Sequence, residues 1–135
     1  MSRIGRAVLG LALTAAGVAG LAGPARAAAA AACEVAYRQS NHTGGFTAGV
    51  TVKNIGSDTI NGWTFKFPLV ATATVVEVWN ADLVSADTVV TTRDKGWNAK
   101  VKPGNSIGIG FRATGSTETD PSWFTVNGLT CQRAA

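Results

Sequence analysis

"FTAGVTVKN", residues 46 to 54, alternates without a break. Phe46, Ala48, Val50 and Val52 point one way, and Thr47, Gly49, Thr51 and Lys53 point the other. A period of two with one apolar face is the mark of a half-buried β-strand. The pattern recurs along the chain. In "NGWTFKFP" (61–68) Trp63, Phe65 and Phe67 share a face opposite Thr64 and Lys66. In "TATVVEVWN" (72–80) Val76 and Val78 are set against Glu77 and Trp79. In "NSIGIGFRA" (105–113) Ile107, Ile109 and Phe111 oppose Gly108, Gly110 and Arg112, and near the end Phe124 and Val126 oppose Trp123 and Thr125. Turn signals separate these runs: "HTGG", "NIGSD", "KPGN", "STETDPS" and "NG". No helical period competes beyond the first thirty or so residues. Many short strands in about a hundred residues predict an all-β fold, an antiparallel sandwich of two sheets.

The first residues read differently. Arg3 and Arg6 precede a short Gly/Ala-rich apolar run from Ala7 to Ala22, and "PARA" offers a small-residue cleavage site after Ala27. This predicts a secretory signal peptide over residues 1–27, with the cut blurred by the alanines that follow. The apolar run falls short of the ~20 strongly apolar residues of a membrane span. The mature chain, 28–135, is then one domain, with no linker or internal repeat. The whole chain has 12 basic and 8 acidic residues, and loss of Arg3, Arg6 and Arg26 leaves nine basic residues against the same eight. So small a net charge gives no reason to expect nucleic acid or an anionic membrane as partner.

Two cysteines, Cys33 and Cys131, stand at the two ends of the mature segment. In an exported chain they predict one structural disulfide. In the chain-entropy model a loop of that length contributes on the order of 4–5 kcal/mol. With one histidine and no C-x-x-C, neither a metal site nor a redox pair is expected, and no cofactor is implied.

The alternation also sorts the four tryptophans. Trp63 is in register with Phe65 and Phe67 and reads as core. Trp79 shares the outward face with Glu77, Trp97 sits in the polar loop "RDKGWNAKVKPGN" (93–105), and Trp123 points away from Phe124. A buried aromatic hides ~150–250 Å², several kcal/mol at ~25 cal/mol per Å², so an exposed one forgoes a large gain. A single surface ring is usually covered by a neighbouring loop. Trp79 and Trp97 together suit a binding surface, because the apolar C–H face of a pyranose matches the negative face of an indole. Gly49, Gly108 and Gly110 leave the outward face bare, which fits either close approach of a flat ligand or a bulge or corner.

"CEVAY", "GGFTAGVTVKN", "INGWTFKF", "VVEVWNA", "GWNAKVKPGNSIGIGFRA" and "FTVNGLTC" closely resemble the family 2 carbohydrate-binding modules of secreted bacterial cellulases and xylanases. The resemblance runs from Cys33 to Cys131. It implies a two-sheet sandwich closed by a disulfide, with three coplanar surface tryptophans stacking along a polysaccharide in the cellulose-binding branch. Trp79 and Trp97 match the second and third of these, and Trp63 matches the buried one. His42 occupies the first position. The family's flanking amide positions correspond to Ser40, Gly49, Glu77, Gly108 and Arg112. Gly45 before Phe46, and the presence of Trp97, resemble the cellulose-binding branch more than the xylan-binding one.

The expected site is therefore Trp79, Trp97 and His42 with Glu77 and Arg112, on a secreted monomer that binds cellulose first, chitin second and xylan third. Catalysis is not expected. Glycosidases need two carboxylates about 5–5.5 Å or 6.5–9.5 Å apart, and nothing in the spacing pairs Glu77, Asp82, Asp87 or Asp94. A lone internal histidine serves neither a copper centre nor a triad, and no G-x-S-x-G is present. The alternative is a secreted protein- or cell-wall-interaction module with a weakened sugar site.

Overall fold

The computed structural model describes residues 31–135; the expected signal peptide lies outside them. Twelve strands follow one another: β1 (Cys33–His42), β2 (Gly45–Asn54), β3 (Ile60–Asn61), β4 (Thr64–Pro68), β5 (Ala73–Trp79), β6 (Asp82–Ala86), β7 (Val89–Arg93), β8 (Lys100–Val101), β9 (Ser106–Gly115), β10 (Thr125–Val126), β11 (Leu129–Thr130) and β12 (Gln132–Arg133). They form two five-stranded sheets, ordered β12-β1-β2-β9-β5 and β11-β10-β4-β7-β6, with a small β3–β8 pair beside them. Pairing is antiparallel except for the short β1–β12 contact at one edge, which is parallel.

The inward residues of the two sheets make the core. Phe46, Phe65, Phe67, Phe111 and Phe124 are all buried, and these are all five phenylalanines of the chain. The Phe67 and Phe111 rings stack across the sandwich with centroids 5.2 Å apart, and Phe65 stacks on Phe124 at 5.8 Å. Trp63 is 3% exposed and joins them, as its register with Phe65 requires. The Cys33–Cys131 disulfide ties β1 to the segment between β11 and β12.

The turn signals hold their places. Gly44 and Gly104 take positive φ in the "HTGG" and "KPGN" turns, and Asn127 and Gly128 both do so in the two-residue β10–β11 hairpin, as a type I′ turn demands.

The alternation fails in one place. Val76, expected inward with Val78, is 48% exposed. The β5–β9 register shifts between Val75 and Glu77, so Val76 is the extra residue of a β-bulge. The bulge turns Val75 and Val78 toward the core and still delivers Glu77 and Trp79 to the outer face.

Candidate functional site

The outer face of the first sheet is built in rows. Ser40, Thr47, Arg112 and Glu77 lie side by side across β1, β2, β9 and β5. The next row is Arg38, Gly49, Gly110 and Trp79. The third is Ala36, Thr51 and Gly108, where β5 has ended. Rows two residues apart stand about 7 Å from each other. Glycines occupy much of the middle, so this face is flat and poor in side chains.

The Trp79 indole lies across this floor. A Cβ on Gly110 would come within 2.8 Å of the Trp79 ring. Gly110 is therefore bare to receive the protein's own indole. Gly49 and Gly108 have open space above them. Trp79 remains 39% exposed.

Trp97 is 74% exposed, the most exposed of the large apolar residues described. The loop that presents it is nonetheless tightly bonded. The Asn98 side chain is buried beneath it. Its Oδ1 accepts from the Lys95 backbone N–H at 2.8 Å, and its Nδ2 donates to the Asn80 carbonyl at 2.7 Å. The Asn98 carbonyl accepts from Trp63 Nε1 at 2.9 Å. Asp94 accepts from the backbone N–H groups of Trp63 and Gly96, both at 2.9 Å. Lys95 Nζ stands 2.8 Å from Asp82, and that hydrogen bond, with help from Arg93, holds the Asp82 carboxyl below the usual carboxylate range.

Asn80 completes the link. It has positive φ, a conformation that asparagine tolerates, and its Nδ2 donates to the Gly108 carbonyl at 2.9 Å. The residue after Trp79 is thus bonded both to β9 and to Asn98, the residue after Trp97. The two indoles are held by one hydrogen-bonded frame that also includes the core tryptophan. Sequence reading missed Asn80 and Asn98. The signal was present, since "WN" occurs twice, in "VWNA" and "GWNA".

At the other end of the face, His42 is the exposed last residue of β1. Its Nε2 is 3.4 Å from Thr47 Oγ1 and its Nδ1 is 3.4 Å from the Thr43 carbonyl. The ring leans toward the Thr47 row. In that row Arg112 Nη2 lies 3.4 Å from Glu77 Oε1, with both side chains nearly half exposed. A solvated pair of this kind contributes ~0–1 kcal/mol. The fold thus brings all five expected site residues to one face. Trp123 is elsewhere, beside β10 of the second sheet. Among the described residues there is no cluster of three metal-ligating side chains.

The family model described as "Cellulose binding domain" matches residues 33–131. The chain belongs to that family, the family 2 carbohydrate-binding modules. Among curated relatives it is similar to Exoglucanase B of Cellulomonas fimi, 37% identical over 100 residues, covering 73% of this chain and 9% of the relative. It is also similar to Endoglucanase A of Thermobispora bispora, 41% identical over 92 residues, covering 67% of this chain and 20% of the relative. The chain therefore spans only a small part of those enzymes. Among solved structures, it aligns with the cellulose-binding family 2 domain from ScLPMO10C at 30% identity and a TM-score of 0.55, covering 77% of this chain and 98% of that one. It aligns with the chitin-binding domain of Chi18aC from Streptomyces coelicolor at 28% identity and a TM-score of 0.62, covering 76% and 96%.

Proposed function

We propose that this is an exported, non-catalytic module that binds insoluble β-1,4-linked polysaccharide, cellulose ahead of chitin and chitin ahead of xylan. Residues 1–27 act as its signal peptide, and residues 28–135 form the mature binding domain. The observation that carries the reading is the pair of exposed indoles, Trp79 and Trp97, fixed on one bare sheet face in a member of a carbohydrate-binding family. Each offers its ring to the C–H face of a sugar. His42 supplies a smaller third ring, and Glu77 and Arg112 supply hydrogen-bonding groups between the rings. Binding by stacking is only mildly salt-dependent. The exoglucanase and endoglucanase activities named for the relatives are not carried over to this chain.

The test is sedimentation of the mature protein with insoluble cellulose, chitin and xylan, in low and moderate salt. Retention on cellulose that is lost in the Trp97→Ala protein supports the reading. No retention on any of the three supports the protein- or wall-interaction module, for which the histidine at the first ring position is the argument. Release by moderate salt points to Lys95, Lys100 and Lys102 contacting an anionic partner.

A further inference from the structure

A free strand edge offers unpaired backbone N–H and C=O groups to another strand unless something blunts it. The two five-stranded sheets have four edges, and three of them are blunted. β5 is broken by the bulge at Val76, β6 shifts register between Leu83 and Ser85, and β11 is two residues long. The fourth edge differs. β12 covers β1 only at Glu34 and Val35, and the last bond of that tail runs from the Ala134 N–H to the Val35 carbonyl at 2.8 Å. From Ala36 to His42, β1 is therefore paired on one side only, with β2. This stretch, "AYRQSNH", has no proline, no glycine, no register shift and a single full charge, Arg38.

The direction of its free groups follows from the bonds present. Along a strand the backbone groups of successive residues alternate sides. Val35 gives its carbonyl to the tail beside β12, so Tyr37, Gln39 and Asn41 turn their N–H and C=O groups to the same, open side. Among the described residues, no other strand or loop is bonded to these groups. The stretch is symmetric about Gln39. An antiparallel copy centred there sets Gln39 against Gln39 and Tyr37 against Asn41, and every one of the free groups finds a partner. A shift of two residues in either direction leaves an end residue unpaired. In the centred register Arg38 faces Ser40 of the second copy, so no like charges stand directly opposite. The two Arg38 side chains are diagonal neighbours, about 7–8 Å apart. Arg38 is exposed, so salt screens that repulsion.

We infer that the open edge of β1 is a docking surface for a second copy of this chain, joined by antiparallel β1–β1 pairing. The monomer expected from the sequence is then one partner in a weak equilibrium. The two-fold axis of the pair stands upright on the joined sheet, so both outer faces lie on the same side of it. Sheet twist, about 20–25° per strand, turns the second platform out of the plane of the first. A pair therefore addresses two separate polysaccharide surfaces and links them. That linking rests on the stacking site proposed above; the pairing does not.

The pairing is tested without polysaccharide. An edge contact belongs to the weak class below about 1,200 Å², so sedimentation equilibrium of the mature protein is run up to about 1 mM. It should show a monomer–dimer equilibrium that strengthens in moderate salt. Amide hydrogen exchange should show Tyr37, Gln39 and Asn41 gaining protection as concentration rises, while Arg38 and Ser40, whose amides face β2, stay as they are. Asn41→Pro removes an outward N–H from each copy and leaves the backbone bonds of its own hairpin in place. It should weaken association about tenfold, the worth of two hydrogen bonds. Ser40→Glu sets a carboxylate against the second copy's Arg38 and should tighten association severalfold. A monomer at every concentration overturns the proposal. So does association that leaves the three amides unprotected, or that neither variant changes. Trp97→Ala should associate as the parent does, and loss of association there would move the contact to the indoles. Failure of the stacking site shows separately, as a dimer that no polysaccharide retains.

Discussion

Strands β2 and β9 have two faces with opposite contents. Inward they carry Phe46, Ala48, Val50, Val52, Ile109 and Phe111, all essentially removed from water. Outward, within a few ångströms, they carry Thr47, Gly49, Thr51, Gly108, Gly110 and Arg112. The inner face is filled by interlocking rings. The outer face is cleared of side chains and then given two indoles from neighbouring segments, Trp79 from β5 and Trp97 from the loop before β8. The same residue type thus does opposite things in one small domain. Trp63 is an internal strut whose N–H is spent on Asn98, while Trp97 leaves most of its ring in water. What separates them is which side of the sheet the chain places them on and what is bonded beneath.

The contrast can be attacked from the inside first. Trp63→Ala should cost roughly 3–5 kcal/mol of stability, read as a lowered denaturation midpoint and a reduced yield of folded protein; a midpoint equal to the parent's would contradict its role in the core. Asn98→Ala attacks the frame between the faces. It leaves the Lys95 N–H and the Asn80 carbonyl without their partner, which should cost about 1–3 kcal/mol. It should also weaken polysaccharide binding without touching either ring, because the two indoles lose their common support. Unaltered binding with lowered stability would mean that Asn98 serves the fold only.

The outer face comes next. Trp79→Ala and Trp97→Ala should each weaken binding to insoluble cellulose by about 2 kcal/mol, roughly thirtyfold, with melting temperatures near the parent's for Trp97→Ala. Trp79→Ala also uncovers Gly110, so a small drop in melting temperature is expected there. If both variants bind as the parent does, the face is not the site. The smallest effect belongs to His42. Imidazole covers less of a sugar ring than indole, a difference of order 1 kcal/mol at ~25 cal/mol per Å², so His42→Trp should tighten binding to crystalline cellulose severalfold. An unchanged isotherm for the folded variant would leave a platform of two rings.

Much of this architecture is legible in the sequence because the period of a strand is local. Alternation alone separates Phe46 from Thr47 and Trp63 from Trp79, and the two cysteines at the ends of the domain suggest their own pairing. The bulge at Val76 is not legible, since an extra residue is defined only against the partner strand. The roles of Asn80 and Asn98 escape for a similar reason. Each is a polar residue in a polar stretch, and only the folded chain brings their amides within 2.7–2.9 Å of carbonyls far along the sequence. Gly110 is instructive too: its bareness could be read as room for a ligand, yet its immediate occupant is Trp79.

The pairing that floors the platform joins residue 45 to residue 114 and residue 53 to residue 106. Contacts so distant along the chain form late, because the intervening loop must be closed before they return any stabilisation. No short fragment of the chain can carry the platform, and no early, locally ordered intermediate can display it. Binding competence should therefore emerge during refolding in a single step with the long-range strand pairing. The disulfide between Cys33 and Cys131, kept intact in the unfolded chain, should hasten that step by shortening the search.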